Sequence, residues 1–178
     1  FLPHENLLRL TYRNQEELLL MLAEQAEEGK NCVLCAWGDI NFSASELIDR
    51  IRNKVSVLEL IPCVSSVQIA ATRSGLKMEE SVFITLHKRS DDDDLKELNQ
   101  HLNEGSRNVI LIPRPFDLMP QEIAKGLISS GQSLDKQLTV YQKLTMQDEI
   151  SWEGSLKELS EYDSEFSDLS IIVIKKGI

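Results

Sequence analysis

The sequence predicts an α/β fold in which strands and helices alternate along the chain. Three observations support this: apolar runs of strand length recur, helix-capping residues stand between them, and the order helix–strand is repeated three times in the first half. A polar stretch, Lys88–Gln100, interrupts the alternation, and further strands and helices follow it. We therefore expect two α/β halves, residues 1–88 and 89–178, joined near residue 89.

The first half is predicted to contain three helices and three strands. Asn14 is a candidate N-cap and Gly29 a candidate C-cap of the first helix, and Ser43 with Glu46 has the spacing of a capping box at the start of the second. Gly75 ends the third helix. The predicted helices are Asn14–Lys30, Ser43–Asn53 and Ser65–Gly75, and the predicted strands are CVLCAW from Cys32, Val55–Pro62 and Ser81–His87.

The second half begins with an acidic run at residues 91–94, which we interpret as a solvated turn capping a helix that ends near Asn103. Proline in the first turn and glycine after the end predict a helix over Pro120–Gly131. A turn, a short strand and a short helix are expected between residues 147 and 168. The remaining predicted strands are Asn108–Pro113, Gln137–Leu144 and Leu169–Lys176.

Composition and charge exclude several classes of protein. The net charge of -10 and the pI of about 4.8 argue against nucleic acid as the main partner, because phosphate binding needs clustered lysine and arginine. There is no apolar run of about 18 residues and no secretory signal at the start, so we expect neither a membrane span nor secretion. Three cysteines without such a signal favour reduced thiols and a cytoplasmic location.

Two of the cysteines, Cys32 and Cys35, form a C-x-x-C pair. The pair lies inside an apolar run instead of at a helix start, so a buried strand is the favoured interpretation and a redox pair the less favoured one. The three histidines are too scattered to complete a zinc site, and no metal is predicted.

Two strand ends in the first half carry residues suited to a ligand, since ligands of open α/β sheets bind at the carboxyl ends of strands. In WGDINF, Gly38 allows a sharp turn and Asp39 can accept hydrogen bonds; the alternative is a Gly-Asp turn with a local cap. In IPCVSSVQIAA, Ser65 and Ser66 open a helix and offer hydroxyls and backbone N–H groups; the alternative is a simple N-cap.

Taken in order, the GD turn, PCVSSVQIAA and SVFITLHKR resemble the tetrapyrrole (corrin/porphyrin) methylases. SSVQIAATRSGL before LHKR, VYQKLTMQDEI and the final FSDLSIIVI are similar to the branch that methylates cobalt-precorrin-7 or precorrin-6Y at carbon 5 in cobalamin biosynthesis. The likeness runs from Asn31 onward. It differs from the family pattern in Ile40 for proline, in Cys63 for glycine, and in lacking the first strand with its G-x-G-P-G loop.

The resemblance implies a two-domain fold, each domain a mixed or parallel sheet flanked by helices, with the active site in the cleft between them. It implies an S-adenosylmethionine-dependent methyltransferase that releases S-adenosylhomocysteine. Asp39 is the residue we expect to matter most for catalysis. The cofactor-binding residues implied are Trp37, Gly38, Asp39, Phe42, Ser65, Ser66, Ile112, Pro113, Lys143 and Leu144.

The substrate implied is a polycarboxylate tetrapyrrole, for which an acidic protein must present local cations. The candidates are His87, Lys88, Arg89 and Arg114; the alternatives are the start of a solvated linker for the first three and a surface loop for Arg114. A homodimer and a separate carbon-15 methyltransferase/decarboxylase are the partners expected. The rival hypotheses are another methylase of this fold, such as a diphthine synthase or an rRNA methylase, and a non-catalytic cofactor-binding subunit.

Overall fold

The computed structural model describes residues 6–11, 13–36, 38–42, 44–87 and 93–177. The chain divides into two units, Phe1–Cys63 and Val64–Ile178, whereas the predicted halves meet at residues 88 and 89. The difference has a clear cause. Strand β1 (Ser81–Thr85) pairs in parallel with β2 (Asn108–Ile112), so strands from both sides of the predicted boundary belong to one sheet.

The described part of the first unit contains two helices, α1 (Gln15–Glu27) and α2 (Ser45–Arg52), which correspond to the first two predicted helices. Glu16, in the first turn of α1, is paired with Arg50 of α2 and lies 3.9 Å from the ammonium of Lys54. Residue Ala44 precedes α2, and the predicted capping residue Ser43 lies outside the described residues. Charged contacts therefore link the first turn of α1 to the end of α2.

The two strands predicted in the first unit are not formed, and that prediction was wrong. Residues 31–36 and 55–62 have no strand pairing, and Val33 and Val57 are 79% and 86% exposed. A strand exists only when its backbone groups bond to a neighbouring strand, and the described residues of this unit supply none. An apolar run of strand length is thus insufficient without a partner.

The second unit is built on a five-stranded mixed sheet in the order β1-β2-β5-β3-β4. Besides β1 and β2 it contains β3 (Gln137–Gln142), β4 (Ile150–Ser155) and β5 (Ser170–Ile174), all predicted strands. The pairs β2–β5, β5–β3 and β3–β4 are antiparallel. Every residue of β2 and β5 is buried, as expected for central strands covered on both faces.

Helices cover both faces of this sheet, which confirms the predicted α/β class. On one face α4 (Lys96–Glu104), α5 (Pro120–Ser129) and α6 (Leu156–Ser160) pack in the main hydrophobic core. Helix α3 (Ser66–Arg73) contacts β2 and β5, and Ser74 after it bonds the hydroxyl of Tyr141, which points away from that core. None of the described helices is long and apolar enough to cross a membrane.

Strand direction brings three strand ends to the same edge of the sheet. Since β5 is antiparallel to both β2 and β3, those two strands run the same way, and β1 runs parallel to β2. We call the edge where β1, β2 and β3 end the carboxyl edge; it comprises Leu86 and His87, Ile112 to Leu118, and residues 142–149. Six of the predicted site residues end or follow these strands here, namely His87, Ile112, Pro113, Arg114, Lys143 and Leu144.

Candidate active site

In the first unit, the predicted GD turn is organised by the Asp39 carboxylate. Gly38 has a left-handed φ of 64°, which glycine adopts without strain. One oxygen of Asp39 accepts hydrogen bonds from the backbone N–H and side-chain amide of Asn41, both at 2.8 Å. The other accepts from the backbone N–H of Cys63 at 2.6 Å, and Phe42 N–H closes the turn on the Asp39 carbonyl.

These bonds determine the charge state of Asp39. The side chain is buried, at 5% exposure, and the backbone N–H groups of Asn41 and Cys63 hold the pKa of the carboxyl below its usual value, with burial opposing them. A carboxylate that already accepts three hydrogen bonds is suited to holding the surrounding backbone in place and poorly suited to acting as a general acid or base. Asp39 joins the GD turn to the PC segment 24 residues later, a contact that local capping alone does not provide.

The helix start predicted at PCVSS is present at the beginning of the second unit. Ser65 is buried, and its Oγ accepts from the Val67 N–H at 3.1 Å, while Gln68 Oε1 accepts from the Ser65 N–H at 2.9 Å. This is a capping box. Ser65 therefore has the structural role that was the alternative to ligand binding, and Ser66, the exposed first helical residue, is the serine available to solvent.

At the carboxyl edge, the predicted residues of β1 and β2 meet directly. The imidazole of His87 donates a hydrogen bond to the carbonyl of Pro113, and the Leu86 N–H donates to the Ile112 carbonyl at 3.0 Å. The pKa of His87 lies below its ordinary value, because nearby protein atoms desolvate the charged ring, and the bond to Pro113 opposes this. Lys88 and Arg89, like Trp37, lie outside the described residues.

Arg114 is fully engaged within the protein. Its guanidinium donates to Asp117 Oδ1 and Asp94 Oδ2, both at 2.7 Å, and to the Leu86 carbonyl at 3.4 Å. The two carboxylates raise the pKa of Arg114 above its ordinary value. The side chain is 13% exposed, so Arg114 ties the strand ends to the start of α4 and offers little surface for a substrate carboxylate.

The loop after β3 holds the remaining predicted residues, Lys143 and Leu144. Lys143 has a left-handed φ of 52°, its N–H donates to the Leu169 carbonyl, and its ammonium lies 2.5 Å from Asp148 Oδ2. Thr145, at φ 69°, donates its N–H to Glu149, which also pairs with Arg73. These partners lower the pKa values of Asp148 and Glu149 and keep both ionised.

A hollow of about 480 Å³ opens beside this loop, a volume within the range of small-molecule sites. Three carboxylates and one ammonium group line it, so its local potential is negative and suits a cationic ligand. The lining residues are Gln142, Lys143, Asp148, Ile150, Glu165, Phe166, Ser167 and Asp168.

Sequence reasoning missed several residues that organise the site. Asn41 and Asp94 were overlooked as partners of Asp39 and Arg114, although the i+2 spacing from Asp39 is typical of a local turn. The Asp94 contact joins residues 20 apart, and no local pattern could have indicated it. Among the described residues no group of three or more His, Cys, Asp or Glu side chains is placed to hold a metal.

Comparison with known proteins identifies the fold. The family model "Tetrapyrrole (Corrin/Porphyrin) Methylases" matches residues 2–160. A Methanocaldococcus jannaschii protein named "Probable cobalt-precorrin-7 C(5)-methyltransferase" is 31% identical over 158 residues, which are 88% of this chain and 71% of that protein.

Two solved structures share the fold. The cobalamin biosynthetic enzyme cobalt-precorrin-4 methyltransferase matches with a TM-score of 0.69 and 20% identity over 90% of this chain and 70% of its own. The uroporphyrin-III C-methyltransferase of Thermus thermophilus, in complex with S-adenosylhomocysteine, matches with a TM-score of 0.63 and 18% identity over 90% and 69%. The chain belongs to the tetrapyrrole (corrin/porphyrin) methylases, a family of S-adenosylmethionine-dependent methyltransferases.

Proposed function

We propose that this protein transfers a methyl group from S-adenosylmethionine to carbon 5 of cobalt-precorrin-7, or of the cobalt-free precorrin-6Y, in cobalamin biosynthesis. The observation that supports this reaction is the 31% identity to the Methanocaldococcus jannaschii protein, which extends over 88% of the chain. The sequence motifs that carry the resemblance include the Asp39 turn, the Ser65 helix cap and the end of β1 at the carboxyl edge.

The residues at the carboxyl edge fit the cofactor. Ile112 and Pro113 are buried apolar residues, and Leu144 is half-buried on the loop after β3. We propose that they form an apolar wall of the cofactor site. Such a wall suits an adenine ring, while the carboxylates around the hollow beside Lys143 suit the positive charge of a sulfonium. We assign Ile112, Pro113, Lys143 and Leu144 to the cofactor. Gly38, Asp39, Phe42 and Ser66 remain proposed contacts, with Trp37 outside the described residues.

The bound cofactor supplies an activated methyl group together with its leaving group. The protein therefore has to orient the acceptor carbon and exclude water, and positioning alone can provide a large part of the rate. Asp39 contributes by holding the GD turn to Cys63, so we propose it as a positioning residue. His87 stays neutral near pH 7 because its pKa is lowered. Its one N–H is donated to Pro113, so the other ring nitrogen can accept a hydrogen bond from the substrate.

The test is a methyl-transfer assay with the full chain, S-adenosylmethionine and cobalt-precorrin-7, in which mass spectrometry detects the methylated corrinoid and S-adenosylhomocysteine. We expect both products in equal amounts. Precorrin-6Y in a parallel reaction shows whether cobalt is required. Calorimetry with S-adenosylhomocysteine is the companion measurement.

The outcomes separate the alternatives. Cofactor binding without methylation of either corrinoid would contradict the proposed substrate and favour another methylase of this fold or a non-catalytic cofactor-binding subunit. Failure of the folded protein to bind S-adenosylhomocysteine would contradict both the proposed reaction and the non-catalytic cofactor-binding subunit.

We further propose a cytoplasmic location, a homodimer, and functional coupling to a separate carbon-15 methyltransferase/decarboxylase. The location is supported by the three cysteines, all exposed and all free of disulfides. Sedimentation of the purified chain tests the dimer, and co-purification with the second enzyme tests the coupling.

A further inference from the structure

Two unfavourable features meet at one residue of the carboxyl edge, Phe116. Its side chain is 83% exposed, so a large apolar surface remains in water. Its backbone has a left-handed φ of 76°, which is an outlier for a bulky side chain. Strained residues of this kind concentrate at sites that bind ligands, where the surrounding structure holds them in place.

The surrounding structure does hold Phe116 in place. It lies at the tip of a tight hairpin in which Arg114 and Leu118 exchange two backbone hydrogen bonds of 3.2 Å. The Arg114 side chain then binds Asp117 within the hairpin and Asp94 at the start of α4. The turn is therefore anchored on both sides, and Phe116 lies at the tip of a hairpin that these bonds hold closed.

The hairpin stands where ligands of α/β sheets bind. It follows β2 directly at the carboxyl edge, beside Pro113, whose carbonyl accepts the bond from His87. Two acidic side chains beside the hairpin, Asp117 and Asp94, are bonded to Arg114. The hairpin consequently offers an aromatic face whose neighbouring carboxylates are already occupied by a cation.

We propose that Phe116 contacts the substrate, with its ring packed on the flat face of the tetrapyrrole macrocycle. This inference rests on the proposed function. A protruding ring can cover one face of a broad planar ligand, whereas adenine is smaller and is bound in slots with backbone edges on their walls. Arg114, assigned above to structure, is then a positioning residue for this contact.

The test uses the full chain and the variants Phe116→Gly and Phe116→Ala. Glycine adopts the left-handed backbone freely, so the first variant removes the ring and the strain together, and alanine removes the ring alone. The matched control is Leu134→Ala, an exposed apolar residue (46%) just before β3 and so at the opposite edge of the sheet. Each protein is measured for cobalt-precorrin-7 affinity by equilibrium dialysis, for S-adenosylhomocysteine affinity by calorimetry, and for thermal midpoint.

We expect both Phe116 variants to bind cobalt-precorrin-7 about tenfold more weakly, as loss of a central aromatic contact predicts. Their affinity for S-adenosylhomocysteine should match that of the unchanged protein. The thermal midpoint of Phe116→Gly should stay the same or rise, because a strained residue held for function is relieved. Leu134→Ala should change neither affinity.

Unchanged cobalt-precorrin-7 affinity in both variants would overturn the inference, as would an equal loss of S-adenosylhomocysteine affinity, which would place the ring on the cofactor. A fall in thermal midpoint with both affinities unchanged would show a structural role and would also overturn it. If the unchanged protein binds no tetrapyrrole, the proposed function fails and this inference fails with it. If it binds and methylates the corrinoid while the variants do so equally well, only the role of Phe116 fails.

Discussion

The two units hold their predicted site residues by different means. In the first unit, the GD turn depends on one carboxylate, since Asp39 bonds Asn41 nearby and Cys63 across 24 residues. In the second unit, His87, Pro113 and Lys143 follow strands of a five-stranded sheet, and strand register sets their positions. The first arrangement should respond to loss of a single hydrogen bond, and the second to damage in the core beneath it.

Apolar runs show the same contrast. Val33, Val57 and Ile61 belong to segments of strand length that remain largely exposed, at 79%, 86% and 70%. The equally apolar β2 and β5 are completely buried. Pairing is what separates them, because β2 has β1 on one side and β5 on the other. The burial of an apolar segment therefore depends on neighbouring strands, and on helices over the sheet, that lie elsewhere in the chain.

The largest effect is expected from Leu111→Ala in β2. Leu111 is fully buried in the main core, and its truncation should lower the free energy of unfolding by about 2–5 kcal/mol. The matched variant Ile61→Ala, in the unpaired segment of the first unit, should lower it by less than about 0.5 kcal/mol. Urea unfolding measures both. Equal losses would show that Ile61 is as tightly packed as Leu111, and would contradict the difference in packing between the two units.

A smaller effect is expected from Arg114→Met, which retains most of the stem and removes the guanidinium. Asp94, Asp117 and the Leu86 carbonyl lose the hydrogen bonds from the guanidinium, so we expect a loss of about 1–3 kcal/mol in the free energy of unfolding, measured in urea. Lys125→Met removes an exposed charge 3.8 Å from Glu122 and should cost less than about 0.5 kcal/mol. A loss for Arg114→Met no greater than for Lys125→Met would mean that the hairpin is not held by Arg114.

The next effect concerns the start of α3. Ser65→Ala removes the cap that accepts the Val67 N–H, and should lower the free energy of unfolding by about 1 kcal/mol. Ser66→Ala, one residue later and exposed, should leave stability within about 0.5 kcal/mol. If the proposed role of Ser66 is right, that second variant should instead weaken S-adenosylhomocysteine binding. The opposite ranking of stabilities would contradict the capping assignment.

The smallest effect on global stability is expected from the pH dependence of the Asp39 turn. The pKa of Asp39 is lowered in the folded protein, so its contribution is present above the ordinary value of 3.8 and is lost as pH falls through the folded value. NMR of the Cys63 and Asn41 amides should therefore show a shift whose midpoint lies below 3.8.

Asp39→Asn should abolish that transition and speed hydrogen exchange of the Cys63 amide several-fold. The neutral amide oxygen of asparagine accepts a weaker hydrogen bond from the Cys63 N–H than a carboxylate oxygen does. Asp49→Asn, whose side chain is 68% exposed, should preserve both properties. A midpoint at or above 3.8 in the unchanged protein would contradict the bonded carboxylate.

Much of the second unit was predictable because its signals are local. Pro120 at a helix start, Gly131 after its end and the apolar runs around Val140 and Ile172 each predict an element that the structure contains. The family, the methyltransferase class and S-adenosylmethionine were also predicted, and the comparisons confirm them.

The remaining features depend on contacts between distant residues. The absence of strands at 31–36 and 55–62 follows from missing partners, and the parallel pairing of β1 with β2 places one sheet across the predicted boundary at residue 88. Arg114 was predicted as a substrate cation because a sequence does not show that Asp94 and Asp117 neutralise it. The strain at Phe116 likewise arises from the backbone of a turn that the Arg114–Leu118 bonds hold closed. The residue type alone does not predict it.

Amide NMR of the full chain titrated with S-adenosylhomocysteine tests the central claim most directly, that the carboxyl edge of the sheet binds the cofactor. We predict the largest shifts at His87, Ile112, Lys143 and Leu144, with little change at Leu134 and Gly131 near the opposite edge. Shifts concentrated at the opposite edge, or none in the folded protein at saturating ligand, would contradict the account.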